Sequence, residues 1–525
     1  MKKQVIFLLF FVALLSALGS CRNDNYKRNK SHAQVPLASI RKGERLAQTY
    51  CGSCHLLPDP SVADAHSWEE GILPNMGPRL GIFEYNFVPY PSGKNDPNLD
   101  SAVYPARPQL TGDEWQAIID YYTATSPDTM PAQKREQNLQ AELPFFEVQV
   151  PTPSATAPAI TLVQIDTALT KNTLLSYDLV SQTLRRYNQK LVKTDSLETR
   201  GCVVNAVSQN GEWLLCNIGN INPNNAKLGN VQNLQTTPDG RFRSFEAPLA
   251  QRLARPVEVA PADINGDGRM DYVVCEFGFV TGSLSWLEQV AGGAFQRRVI
   301  MAVPGAIKTY VKDENSDGYP DLWVLFAQGD ENISLFINQR NGQFRQTKMI
   351  QFPPSQGSTF FELADMNGDG LQDIIYTSGD NADYSQTLKP YHGVYIYINR
   401  SSNRFEKAAF FPINGCFKAL ARDFDKDGDL DIGTISFFAD YTHQPEEGFV
   451  YLENKGNLKF TPYTFPESKS GRWLTMDAGD LDGDGWLDLV LGNFAAGPSF
   501  LPPPVDWKSG PSILLLRNIT SKKSL

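Results

Sequence analysis

The sequence predicts a multidomain chain, a small all-α unit followed by a larger all-β unit of about seven repeated sheets. Three observations carry that expectation. At 525 residues the chain is too long for one compact core. Helical signals are confined to the first 128 residues, whereas short β-branched and aromatic runs dominate from residue 145 on. One Asp-rich turn recurs five times in that second part, the mark of a repeat architecture. The composition, 41% hydrophobic and 20% charged with 40 Gly and 35 Pro, suits a globular protein rich in strands and turns. A formal charge of −10 argues against nucleic acid as a partner, since a phosphate-binding face needs excess Lys and Arg, and it favours cations.

The chain begins MKKQVIFLLFFVALLSALGSC, with Lys2 and Lys3 ahead of an apolar run, Val5 to Leu18, too short to span a bilayer comfortably. Leu18-Gly19-Ser20-Cys21 resembles a bacterial lipobox, which implies a signal peptide over 1–20 and lipid attachment at Cys21. A plain secretory signal with an incidental cysteine is the alternative. Residues 21–37 read as a polar tether. The expectation is an exported protein held to the membrane by its lipid anchor, at the periplasmic face or outer membrane of a Gram-negative cell envelope.

In residues 38–128, Ile40, Leu46, Ala47 and Tyr50 form a loose helical stripe leading into Cys51. Further on, Thr111 and Glu114 make a capping box, followed by Trp115, Ile118, Ile119 and Tyr122 at helical spacing. Between them lies Cys51-Gly52-Ser53-Cys54-His55. Zinc needs four ligands, and no second Cys/His pair lies in this unit. A thioredoxin-like CxxC belongs beside a βαβ pattern, which is absent. CxxCH is the attachment signature of c-type haem, with two thiols for the vinyl groups and an imidazole for the iron. The segment resembles class I cytochrome c. That resemblance implies one covalent haem on Cys51, Cys54 and His55, an axial Met76 from "GILPNMGPRLG", and a helix crossing of Gly43 against the aromatics of the last helix. His66 is the rival axial ligand; Met130 follows the last helix and is disfavoured. The His55–Met76 separation is shorter than in many members of the family.

After a polar stretch over 129–144, read as a linker, residues 145–520 carry the repeat. The five copies have the form DxNxDGxxD or DxDxDGxxD, with first aspartates 50, 52, 58 and 57 residues apart. Oxygens at positions 1, 3 and 5 of a tight loop converge on one point, and glycine at position 6 allows the turn. The carbonyl of position 7 and the carboxylate of position 9 complete a hard-cation shell, which suits about five Ca2+. The candidate ligands are Asp263, Asn265, Asp267, Arg269 and Asp271 in loop 1; Asp313, Asn315, Asp317, Tyr319 and Asp321 in loop 2; Asp365, Asn367, Asp369, Leu371 and Asp373 in loop 3; Asp423, Asp425, Asp427, Asp429 and Asp431 in loop 4; and Asp480, Asp482, Asp484, Trp486 and Asp488 in loop 5. Strand-like runs such as "YVVCEF" and "LWVLFA" follow each loop, where an EF-hand would need helices. Strand, loop and strand at this period resemble the FG-GAP/VCBS repeat, which implies a β-propeller with about one loop per blade.

Two degenerate copies precede the five. "RGCVVNAVSQNGEWLLCNIG" aligns with the first full copy, and "ITLVQIDTALTKNTLLSYDL" reads as the later half of a blade. The total is seven, with six or eight as alternatives, and the ring closes when a terminal strand such as "SILLLRNI" pairs with an early one. Cys202, Cys216, Cys275 and Cys416 read as buried small hydrophobes, a Cys202–Cys216 bridge within one blade being left open.

Together these features point to a membrane-anchored haem protein that transfers electrons to a redox partner, with the propeller as docking or ligand-binding platform. No catalytic residues stand out. The alternatives are a propeller dehydrogenase feeding the haem, against which only His392 and His443 lie in the propeller, or a glycan-binding adhesion lipoprotein with an accessory haem. Alignment also places Arg200, Arg255, Arg472, Lys308 and Lys418 near the start of innermost strands. A positive funnel at the propeller mouth for a glycan or anionic ligand is the resulting expectation.

Overall fold

The computed structural model describes residues 28–151, 156–167, 172–209, 212–237, 240–381, 387–497 and 506–520. The leader and Cys21 lie outside them. Among the described residues no helix is long and apolar enough to cross a membrane.

The helical unit is built on α1 (Leu37–Tyr50), the single turn α2 (Leu73–Met76) and α3 (Gly112–Thr125). The capping box starts α3: the Glu114 N–H donates to Thr111 Oγ1 at 3.3 Å and the Thr111 N–H to Glu114 Oε2 at 2.9 Å. From there Trp115, Ile118 and Tyr122 point inward and share one core with Ile40 and Ala47 of α1. The helices touch at Gly43, where a Cβ would sit 1.8 Å from the Ala117 carbonyl oxygen, so only glycine allows the approach. Trp68 stacks on Tyr122 with centroids 4.1 Å apart, closing the core from the intervening segment.

The rest is a seven-bladed β-propeller. Four-stranded antiparallel meanders make blade 1 (Ile160–Asp166 to Lys193–Glu198), blade 3 (Pro256–Ala262 to Phe295–Met301), blade 4 (Ala306–Lys312 to Phe344–Gln351), blade 5 (Ser358–Ala364 to Phe405–Pro412) and blade 6 (Cys416–Arg422 to Phe460–Tyr463). Blade 2 starts at Val203–Gln209, and its third strand, Gly229–Thr236, pairs with both Phe242–Phe245 and Ala250–Leu253. Innermost strands adjoin in order round the ring, blade 7 against blade 1. In blades 3 to 7 the second strand is buried along its whole length, being sandwiched between neighbouring blades, which is why it reads as a continuous apolar run.

The ring closes as expected from "SILLLRNI". Blade 7 takes three strands from the C-terminal end, and its outer strand is Phe146–Gln149, paired antiparallel with Ile513–Asn518. That borrowing corrects one reading. "ITLVQIDTALTKNTLLSYDL" forms the two innermost strands of blade 1 (Ile160–Asp166 and Thr173–Asp178), not the later half of a blade. The stretch over 129–144 is also bound down. Gln133 Nε2 donates to the carbonyls of Lys389 and His392, Arg135 pairs with buried Glu447, and Gln140 bridges to Tyr463 of blade 6.

The helical unit sits on one face of the ring. Tyr391 Oη donates to the Val62 carbonyl at 2.8 Å, and Asn225 Nδ2 to Asp96 Oδ2 at 2.8 Å. Tyr391 belongs to blade 5 and Asn225 to blade 2, on opposite sides of a seven-membered ring. Both lie in loops joining second and third strands. In an up-and-down meander these loops lie at the opposite end from the aspartate loops, which join first to second.

Candidate functional site

Two constellations were singled out by the sequence, one on each side of the molecule. Cys51 caps the C-terminus of α1, its N–H donating to the Ala47 carbonyl at 2.9 Å, and the chain turns so that Cys54 N–H lies 3.5 Å from the Cys51 carbonyl. Both thiols are free. Burial, and then the nearby Cys54, push the Cys51 thiol up to about 11, while Cys54 is exposed. His55 Nδ1 is 3.0 Å from the Leu56 carbonyl oxygen. With the Nδ1 proton engaged there, Nε2 keeps its lone pair for a metal. Two unbridged thiols on one turn beside an imidazole with an available nitrogen fit the donor set of a covalent haem. Met76 is half-buried at the end of α2, and Met130 is half-buried beyond α3. The rival His66 points into solvent, its side chain 75% exposed and 3.6 Å from Glu70.

The five aspartate loops share one geometry. Positions 4 and 6 are left-handed in each, by Gly266 and Gly268 in loop 1 and by Lys426 and Gly428 in loop 4. The position 1 carboxylate accepts from the N–H of position 6, at 2.7 to 3.2 Å across the loops. The carboxylate of position 5 accepts from the N–H of position 7. Position 9 is buried and does two jobs. Asp271, Asp321, Asp373, Asp431 and Asp488 each accept from the N–H of position 2 and from an N–H at the end of the third strand. Burial lifts all five carboxyls, Asp431 to about 7 and Asp271 and Asp488 to about 6.

Crowding is greatest in loops 4 and 5. Carboxylate oxygens of Asp423, Asp425 and Asp427 lie within 4.8 Å of one another, as do those of Asp480, Asp482 and Asp488. In loop 4, Asp423 Oδ1 is buried without a hydrogen-bond partner, an orphan acceptor that a cation would satisfy. The donor set there is all oxygen, which fits calcium.

The cationic funnel does not form. Arg255 and Arg472 do precede innermost strands, but both are buried. Arg255 donates to the carbonyls of Gly278 and Ile221, and Arg472 donates to that of Phe437 while lying over the Phe437 ring. Arg200 is out of register, since the ladder pairs Val203 with Asn217 as it pairs Pro256 with Glu276, which puts Cys202 opposite Arg255. Lys308 and Lys418 are equivalent but internally satisfied. Lys308 pairs with Glu258, and Lys418 Nζ donates to the Met476 carbonyl at 2.8 Å.

Sequence reading missed why those side chains are there. Polar groups on innermost strands reach across to the next blade's backbone: Asn205 accepts from Val259 N–H, Glu258 from Thr309, Glu362 from Ala421 and Asp477 from Ile165. The signal was available, as polar residues at alternating positions of otherwise apolar strands. The four propeller cysteines are free and buried, as expected without a bridge. Of the two histidines, His443 is exposed, whereas His392 is fully buried with both ring nitrogens unpartnered.

Comparison with known proteins agrees with this geometry. The FG-GAP-like repeat matches residues 313–376 and 437–491. The propeller carries FG-GAP-like repeats. Integrin alpha-4 of Xenopus laevis is 29% identical over 157 residues, 26% of this chain and 14% of the integrin's own length. Among solved structures, the N-terminal domain of Nup159 aligns over 73% of this chain and 99% of its own at 11% identity, with a TM-score of 0.41. Sqt1 of Saccharomyces cerevisiae aligns over 71% and 97% at 8% identity, with a TM-score of 0.43. At those scores the likeness carries no functional information.

Proposed function

We propose that this protein is a lipid-anchored c-type haem electron carrier of the cell envelope, whose calcium-bearing propeller is the platform on which a redox partner docks. The observation that carries the reading is Cys51, Cys54 and His55 at the end of α1, with free thiols and an available imidazole nitrogen, on the helix that crosses α3 at Gly43. A bound haem would supply one-electron redox chemistry. The chain's part is to hold it. Cys51 and Cys54 would attach it, His55, oriented by the Leu56 carbonyl, and Met76 would hold its iron, and the buried aromatics of α3 would exclude water. In the propeller, positions 1, 3, 5, 7 and 9 of the aspartate loops would hold calcium, screening carboxylates that otherwise repel. Anchoring through Cys21 keeps the carrier at a membrane surface.

The test is a visible spectrum of the full chain, before and after dithionite, with haem staining after denaturing electrophoresis. Covalently retained haem in the wild type, lost in Cys51→Ala and Cys54→Ala, is expected; protein purified without haem from a host able to attach it would overturn the reading. Sugars and alcohols added as reductants separate a carrier from a dehydrogenase, since only the latter reduces its own haem from such a substrate.

A further inference from the structure

The five aspartate loops are alike in sequence but not in what faces them. In every blade from 3 to 7, the residue just before the N–H that reaches position 9 comes from the end of the third strand and lies beside the loop. These residues are Glu288, Ile337, Ile398, Glu453 and Arg517, one for each loop in order. In loop 1, Asn265 Nδ2 lies 3.4 Å from Glu288 Oε1. In loop 4, the charge of Glu453 acts on Asp425. Both interactions are with position 3, the first a direct contact, so this strand position faces the loop.

Loop 5 has a cation there. Arg517 Nη1 lies 3.0 Å from Asp482 Oδ2 and 2.8 Å from Asp488 Oδ2, while Nη2 donates to the Gln189 carbonyl of blade 1 at 2.7 Å. The side chain is 5% exposed. Its guanidinium therefore spans positions 3 and 9, two of the oxygens a metal would need, and is fixed from a third side by a neighbouring blade. A divalent ion placed among those carboxylates would sit within a few ångströms of a buried positive charge. Loop 4 is the contrast, with Glu453, itself paired with Lys455 at 2.6 Å, in the facing position, no cation among the described residues between the loop carboxylates, and Asp423 Oδ1 buried and unpartnered. Loop 1 also has an arginine, but among the loop carboxylates Arg269 pairs with Asp267 alone, its Nε donating to the Gln289 carbonyl at 2.7 Å, and it is 42% exposed, so it can leave without uncovering a buried charge.

We propose that loop 5 holds no calcium: the Arg517 guanidinium stands in for the ion between Asp482 and Asp488, and metal binding is confined to loops 1 to 4. The inference rests on the calcium reading of those four loops.

Calcium bound per full-length chain, measured by equilibrium dialysis and elemental analysis, tests it. Wild type should bind four ions, and Asp480→Ala should leave that number unchanged, whereas Asp423→Ala should lower it to three. Arg517→Met should bind a fifth, lost again in Arg517→Met with Asp480→Ala. Five ions in the wild type, or one lost on Asp480→Ala alone, would overturn the assignment of Arg517. No bound calcium in wild type or in Arg517→Met would overturn the calcium reading instead. The first two measurements leave Arg517 intact, so the test does not depend on that variant folding.

Discussion

At Gly43 the backbones of α1 and α3 come so close that any β-carbon would collide with the Ala117 carbonyl. Gly43→Val should force the helices apart and cost the helical unit about 2 to 3 kcal/mol, read as a lower denaturant midpoint. An unchanged midpoint would show that the crossing relaxes freely. On the proposed haem reading, Met76→Ala should remove the Met–iron charge-transfer band at the red end of the visible spectrum, and survival of that band would assign the ligand role to another residue. Glu447 makes a different kind of prediction. It is fully buried, bonded by Asn414 and paired with Arg135, yet burial outweighs both and pushes its carboxyl up to about 7. Its folded-state value lies above the unfolded one, so folding favours the protonated acid. The stability it contributes is complete below pH ~4.5 and is lost as the pH rises toward ~7, by at most about 3 kcal/mol. Glu447→Gln should flatten that slope between pH 4.5 and 7.5; parallel slopes for the two proteins would exclude it as the source.

Among elements, the innermost strands do more than line a channel. Each interblade bond, such as Thr309 N–H to Glu258, ties one sheet to the next where the sheets themselves share no ladder. Glu258→Ala removes that bond and leaves Lys308 charged and mostly buried, which should destabilise the propeller by roughly 3 kcal/mol. Glu258→Gln, which can still accept from Thr309, should cost less, and equal losses would argue against the backbone bond. These strands also show what could be read in advance. The five loops were legible because aspartates and glycines at fixed offsets are a backbone requirement written in residue types: Gly268, Gly318, Gly370, Gly428 and Gly485 are all left-handed. The two blades without aspartate loops were legible only in outline. Every innermost strand carries a bulge near its start, as between Val203 and Asn205 and between Pro256 and Glu258, and a bulge has no residue signature. The bulge is common to all blades, so the register was lost in the turn: the first two strands of blade 2 end on the pair Gln209–Glu212 and those of blade 3 on Ala262–Asp271, and matching Arg200 to Arg255 by residue type missed that difference by two residues. Arg517 was invisible for a related reason, since it meets its loop across a strand pairing and not along the chain.

In the whole molecule, closure and docking separate two kinds of stability. The ring is closed by Phe146–Gln149 against Ile513–Asn518, so N-terminal and C-terminal segments must both be in place before blade 7 is complete. The helical unit has its own core and touches the ring through side chain contacts on blades 2 and 5. The aspartate loops open on the opposite face, the full thickness of a blade away. On the proposed calcium reading the ion binds only the folded loops, so removing it would withdraw stabilisation by mass action from the propeller alone. Excess chelator should therefore lower the melting temperature followed by far-ultraviolet strand signal. Below that melting point, it should leave the haem absorption bands where they were. Two results would contradict this layout. A melting curve unmoved by chelator would mean the loops are stable without metal, their carboxylates satisfied by backbone N–H groups as Asp271 and Asp373 already are. Haem bands that shift on chelation before any unfolding would mean that the two faces communicate through the ring, and the stitched innermost strands, which run from one face to the other, would be the elements to carry it.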